Sequence, residues 1–249
     1  MDFMPQNAPL VVLTFLGTCF ALGVLGIAIV YGLVRGKPAL VKYALAAALA
    51  GAGLYAGLLL TASWASREKV LGPGEQKYFC EIDCHVAYSV VDVATVKALG
   101  TPPHPATAAG TFYVVKVKTW FDEKTISTRR GYAPLTPNPR RVVVVDERGR
   151  EFLPSPEGRR ALEQARGGTT PLTHPLRPGE SYTTEFVFDL PADARNPRLF
   201  LTNADSVTQL LIGHENSPFH KKIFFRLGPQ SILAAGLPER ESRALRGDG

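Results

Sequence analysis

The sequence predicts a helical hairpin that crosses a membrane twice, followed by an all-β domain. Three observations carry that expectation. Residues 10–34 and 39–65 are apolar runs, and Arg35, Lys37 and Lys42 are the only charged side chains between Asp2 and Arg67. About 20 apolar residues are enough to cross a bilayer as a helix, and neither run shows the polar stripe of a soluble helix. From Gln76 onward, β-branched and aromatic residues alternate with polar ones between Gly- and Pro-containing turns, the pattern of short antiparallel strands.

Taken in order, residues 1–9 form a leading tail with Asp2 as its one charge. A cleaved signal peptide needs a basic start, and this tail has no Lys or Arg. The basic link at 35–38, with Lys42 just beyond it, is expected on the cytoplasmic side, which puts the N-terminus and everything after residue 65 outside. Pro38 suits the first turn of the second helix, where no N–H is needed. Tyr31, Tyr43 and Trp64 fall near the ends of the runs, where amphipathic rings suit the headgroup layer. Gly53 and Gly57 have the GxxxG spacing that lets helix backbones approach in lipid, and the expectation is that they pack the second helix on the first. Neither run contains an acidic residue or a histidine. That argues against an ion pathway built from this chain alone.

Residues 66–75 read as a polar linker ending in Gly-Pro-Gly. The domain itself is expected over 76–227. Its first strand, 77–91, counts by twos into an apolar face of Tyr78, Cys80, Ile82, Cys84, Val86, Tyr88 and Val90, opposite Glu81, Asp83, His85 and Ser89. In the next, 111–121, Tyr113, Val115, Val117, Thr119 and Phe121 share a side. Residues 142–145 make a strand closed by the turn Asp146-Glu-Arg-Gly-Arg150. A helix is expected at Pro156–Arg166, with Ser155 as its cap, Pro156 at its first position and Gly167 after its end. Residues 182–190 form a strand with Phe186 and Phe188 inward and Val187 and Asp189 outward. Two short strands, 198–202 and 222–227, complete the set, and 228–249 is a loosely held tail. Many short strands with few helices indicate a sandwich or barrel.

Phe112-Tyr-Val-Val, Phe121-Asp-Glu, Asp146-Glu-Arg-Gly-Arg150 and Leu176-Arg-Pro-Gly-Glu-Ser, followed by Phe186-Val-Phe-Asp-Leu-Pro191, resemble a bacterial family of secreted or lipid-anchored immunoglobulin-like domains of the immunoprotective-antigen type. The resemblance implies an immunoglobulin-like sandwich with no catalytic residues to carry over. With the two spans it implies a bacterial inner-membrane protein. Two spans before an external β-domain bearing Cys80-x3-Cys84 are also similar in architecture to subunit II of haem–copper oxidases. Here Tyr88 and Val91 stand where that family's copper-binding His and Met belong.

Cys80, Cys84 and His85 leave alternatives open. On one extended strand, Cys80 and Cys84 lie about 13 Å apart at about 3.3 Å per residue, beyond the roughly 7 Å limit for a disulfide. They are then buried thiols. If the chain instead turns there, a tight disulfide or a soft-metal site becomes possible, with His214 and His220 from the polar loop His214-Glu-Asn-Ser-Pro-Phe-His220 completing a copper set.

The expected function is that of a binding or accessory module for another envelope or membrane-complex protein, without a cofactor. The alternative is a copper-binding or copper-delivery domain beside a respiratory oxidase. No G-x-S-x-G setting or Gly-rich phosphate loop signals an enzyme or a small-molecule substrate. The formal net charge of +6 includes the three cations at 35–42 and is otherwise interspersed with Asp and Glu, which is no nucleic-acid footprint.

Overall fold

The computed structural model describes residues 4–79, 85–100, 105–126 and 129–228. Helix α1 spans Met4–Val34 and α2 spans Pro38–Ala65. Their stretches Pro9–Val34 and Pro38–Ala65, with mean hydropathies of 2.4 and 1.8, are long and apolar enough to cross a membrane. Pro38 opens α2 as expected. Gly36, at φ 62°, supplies the left-handed residue of the tight turn between them.

The close contact of the hairpin lies beside that turn. A methyl group on Gly32 would sit 2.8 Å from Val41 Cγ2, whereas one on Gly53 or Gly57 would meet nothing within 4 Å. The expectation that Gly53 and Gly57 pack α2 on α1 is thereby corrected. The short turn and a contact of Val11 with Leu59 near the other end fix the rotation of α2, and its GxxxG face is left open.

The rest is a two-sheet β-sandwich. Its strands are β1 (Lys69–Leu71), β2 (Lys77–Phe79), β3 (Val86–Leu99), β4 (Ala106–Phe121), β5 (Arg140–Val145), β6 (Glu151–Phe152), β7 (Ser181–Leu190), β8 (Arg198–Asn203) and β9 (Ile223–Arg226), with α3 at Pro156–Arg166 between β6 and β7. One sheet runs β1-β9-β8-β5-β6 and the other β2-β3-β4-β7. Val86, Tyr88, Val115, Val117, Val144, Phe188, Leu199, Leu201 and Phe225 fill the space between them. At about 25 cal/mol per Å² of apolar surface removed from water, such a core dominates the domain's stability.

Helix α3 is built as its sequence predicts. The Ser155 hydroxyl accepts the Gly158 N–H at 3.1 Å, Pro156 follows, and Gly167 ends the helix at φ 89°. It covers the outer face of β4 and β7, where Leu162 packs with Phe112, Val114 and Val187. Gly158 permits that approach, since a methyl there would come within 2.5 Å of Val187 Cγ1. Phe186 and Phe188 do share the inner face of β7, and Val187, on the opposite face, is buried too because α3 lies over it. Asp189 is used at the strand edge, where its carboxylate accepts the N–H groups of Ala109 and Gly110 at 2.7 and 3.0 Å.

Two expectations are corrected at the start of the domain. The stretch read as a linker contributes a strand: β1 pairs in parallel with β9, Val70 opposite Phe224. The single strand expected at 77–91 is two antiparallel strands, with Lys77 opposite Tyr88 and Phe79 opposite Val86. Lys77 and Phe79 therefore face inward, while Tyr78 turns outward and bonds Asp122 at 2.8 Å. The period-two count fails because β2 and β3 pair antiparallel instead of continuing as one strand. Further along, an irregularity between Val90 and Asp92 shifts the parity, so Val93 follows Val86, Tyr88 and Val90 into the core.

Candidate functional site

Residues 204–222, between β8 and β9, join the sandwich to the helix pair. This segment is a chain of i→i+3 turns, in which the N–H groups of Thr208, Leu211, His214, Ser217 and His220 donate to the carbonyls of Asp205, Thr208, Leu211, His214 and Ser217. Asp205 caps the first turn by accepting the Val207 N–H at 2.9 Å. With its backbone groups so occupied, the loop can be buried on two sides.

On the sandwich side it supplies Glu215 to Lys77. The Lys77 ammonium lies 2.7 and 2.8 Å from the two Glu215 carboxylate oxygens and donates to the carbonyls of Leu201 at 2.7 Å and Ile223 at 3.1 Å. Both side chains are buried, at 6% and 9% exposure. Lys77 belongs to one sheet and its carbonyl partners to the other, so the pair clamps the sandwich at this end. Burial pushes the Lys77 ammonium below its ordinary value, and Glu215 opposes that shift.

Arg140 lies alongside. Its Nε donates to the Tyr88 hydroxyl at 3.3 Å, a terminal N–H donates to Asn203 Oδ1, and its guanidinium stands 4.3 Å from the Phe79 ring centre. Burial lowers Arg140 to about 10, with Glu215 opposing the shift. Asn216 spends its side chain in the same network, accepting from Thr202 and donating to Asn203 O and Thr208 Oγ1.

The predicted copper set is distributed as follows. Cys80 and Cys84 lie outside the described residues. His85 is buried and stacked on Phe121, with ring centres 5.8 Å apart. Its Nδ1 lies 2.6 Å from Thr125 Oγ1, whose own proton goes to the Asp122 carbonyl, so Nδ1 carries a hydrogen and donates. His214 Nδ1 accepts the Asn216 N–H at 3.0 Å, and Nε2 faces the Asn203 amide at 3.2 Å. His220 stands at the helix side of the loop, with Nδ1 2.7 Å from the Lys221 carbonyl. Among the described residues, no group of three or more His, Cys, Asp or Glu side chains is placed to share a metal ion. The loop was expected to offer His214 and His220 to a metal. Instead His214 and Glu215 are buried, and both, with Asn216, are tied into the sandwich.

His214 carries a pH dependence. Burial lowers it to about 4, and a proton on Nδ1 would also confront the Asn216 N–H. The unfolded chain binds a proton here near pH 6.5 and the folded chain does not. The His214 contribution is therefore complete above about pH 6.5 and lost as the pH falls toward 4, on the order of 3 kcal/mol in all. Denaturation midpoints of the full chain should fall over that window, and less steeply in His214→Gln; parallel profiles would remove His214 as the cause.

On the helix side, Ile212 packs against Val11 and Leu59, and the Tyr55 hydroxyl donates to the Leu210 carbonyl at 2.6 Å. The Lys221 N–H donates to Ser66 Oγ at 2.8 Å. A groove of about 860 Å³ opens between the loop and the ends of both helices, lined by residues including Leu10, Leu58, Ala65, Arg67, Ile212 and His220. Sequence reasoning missed Lys77, Arg140, Tyr55 and Ile212 as members of this junction. The one signal that could have found it is Leu210-Leu-Ile212, an apolar triplet inside an otherwise polar segment.

No protein-family model matches the chain, and no curated protein matches it in sequence. Among solved structures it is similar to MPT63, a secreted protein from Mycobacterium tuberculosis, at 15% identity and a TM-score of 0.38, covering 65% of this chain and 97% of that one. A β-sandwich protein from Clostridium difficile 630 matches at 10% identity and 0.38, covering 66% and 96%. A conserved hypothetical protein from Bacillus anthracis matches at 14% and 0.38, covering 54% and 88%.

Proposed function

We propose that this chain is a two-pass inner-membrane protein with both termini outside, and that its β-sandwich binds another envelope or membrane-complex protein as an accessory module. The observation that carries this reading is the junction at 204–222. Ile212 on Val11 and Leu59, and Tyr55 on the Leu210 carbonyl, seat the sandwich directly on the helix ends. A domain held in that way presents a fixed surface beside the membrane to a neighbour in the same membrane. The charge step from Arg35, Lys37 and Lys42 to an opposite end where Asp2 and Glu68 offset Arg67 and Lys69 supports the outward placement.

The reading includes no catalysis and no resident metal, and Nδ1 of both His85 and His214 is engaged in a hydrogen bond within the fold. Reciprocal purification from native membranes in mild detergent should return the same partner at fixed stoichiometry. A chain that always migrates at its own 27.0 kDa would contradict the proposal. Metal analysis of protein purified without chelator should find no stoichiometric copper. Copper that is present in the wild type and lost in Cys80→Ser with Cys84→Ser and in His214→Ala would establish the copper alternative instead.

A further inference from the structure

We propose that the groove between the ends of α1 and α2 and the 204–222 loop holds one anionic phospholipid of the outer leaflet, with its acyl chain against the helices and its phosphate at Arg67. This deepens the proposed function and rests on its two-span anchor. The groove's 860 Å³ falls within the roughly 300–1,000 Å³ of pockets that enclose small ligands. Its lining changes character along α2. Leu58, Ala62 and Ile212 make an apolar stretch, and Arg67 and His220 stand beyond the end of the helix. The described lining contains no carboxylate. Lys221, exposed beside it, adds a further cation. An apolar trough with a cationic rim complements an acyl chain with an anionic headgroup.

The depth of the groove also favours lipid. Leu210 meets Tyr55, which lies ten residues before Ala65, about 15 Å down the helix at about 1.5 Å per residue. The loop thus runs beside the last turns of a helix that is apolar enough to cross a membrane. Trp64, 80% exposed, marks the headgroup level there. Val207, Leu210 and Phe219 of the same loop are exposed apolar side chains, and Phe219 is held at φ 63°, an uncommon conformation for a bulky residue. The backbone oxygens of Leu10, Gly57 and Leu210 at this level accept from the hydroxyls of Thr14, Thr61 and Tyr55, which suits an apolar surrounding.

The test uses the full chain, reconstituted into vesicles of equal phosphatidylcholine and phosphatidylglycerol, re-extracted in mild detergent and weighed by native mass spectrometry. The wild type should retain one phospholipid, preferring phosphatidylglycerol by roughly ten-fold. Arg67→Glu, an exposed change, should abolish the preference, and Ala65→Leu, which fills the groove, should retain neither lipid. No retained phospholipid, or equal retention and preference in both variants, would overturn the proposal. Carbonate washing separates the two readings. A chain released from membranes by carbonate overturns the anchor and the lipid site together, whereas a carbonate-resistant chain without bound lipid overturns the lipid site alone.

Discussion

Glu215→Leu should lower the stability of the sandwich by about 3–5 kcal/mol, the usual cost of leaving one member of a buried ion pair without its partner. Among the described residues the carboxylate is the ionised partner of Lys77, whose ammonium is otherwise held by the carbonyls of Leu201 and Ile223. Removing it strands a charge between two sheets. Lys77→Met together with Glu215→Leu should cost less than either change alone, because neither side then carries an unpaired charge. Urea denaturation of the full chain, followed through Trp120 of β4 in a Trp64→Phe background, gives all four values. Costs that simply add would show that the pair is not coupled, and that Glu215 does not hold the loop to the sandwich through Lys77.

Phe188→Ala should cost about 3–5 kcal/mol, and Phe186→Ala distinctly less. Both rings lie on the inner face of β7, 6.4 Å apart. Phe188 is fully buried between the sheets, while Phe186 is partly exposed at the margin of the same cluster. The same denaturation assay orders them. A larger loss at Phe186 would contradict the register in which Val115 opposes Phe186 and Tyr113 opposes Phe188.

Where a segment kept one conformation over its length, its sequence was sufficient. The two long apolar helices, the Ser155–Pro156 start and Gly167 end of α3, and the inner faces of β4 and β7 all follow from local pattern. Local pattern failed wherever a distant partner decided. Lys69–Leu71 is a strand because β9, more than 150 residues away, offers an edge. Lys77 points inward because Glu215 awaits it, and alternation alone would have put so polar a residue outside. Val187 is buried because α3 folds back over β7. For the site, the polar loop at 214–220 was recognisable as special, yet its chemistry was not. A His-Glu-Asn sequence reads equally as ligands or as hydrogen-bonding groups until the positions of Lys77, Thr202 and Asn203 are known.

The most direct test of the whole account is the side of the membrane on which the sandwich lies. In a chain whose Cys19, Cys80 and Cys84 are replaced, single cysteines are introduced as Arg160→Cys on the exposed side of α3 and Lys37→Cys in the turn between the helices. Intact cells, opened only at the outer envelope, are then treated with a maleimide that cannot cross the inner membrane. The account predicts that the cysteine at position 160 is labelled at once and the one at position 37 only after the membrane is permeabilised. Labelling at 37 with protection at 160 would contradict it, since the sandwich would then face the cytoplasm.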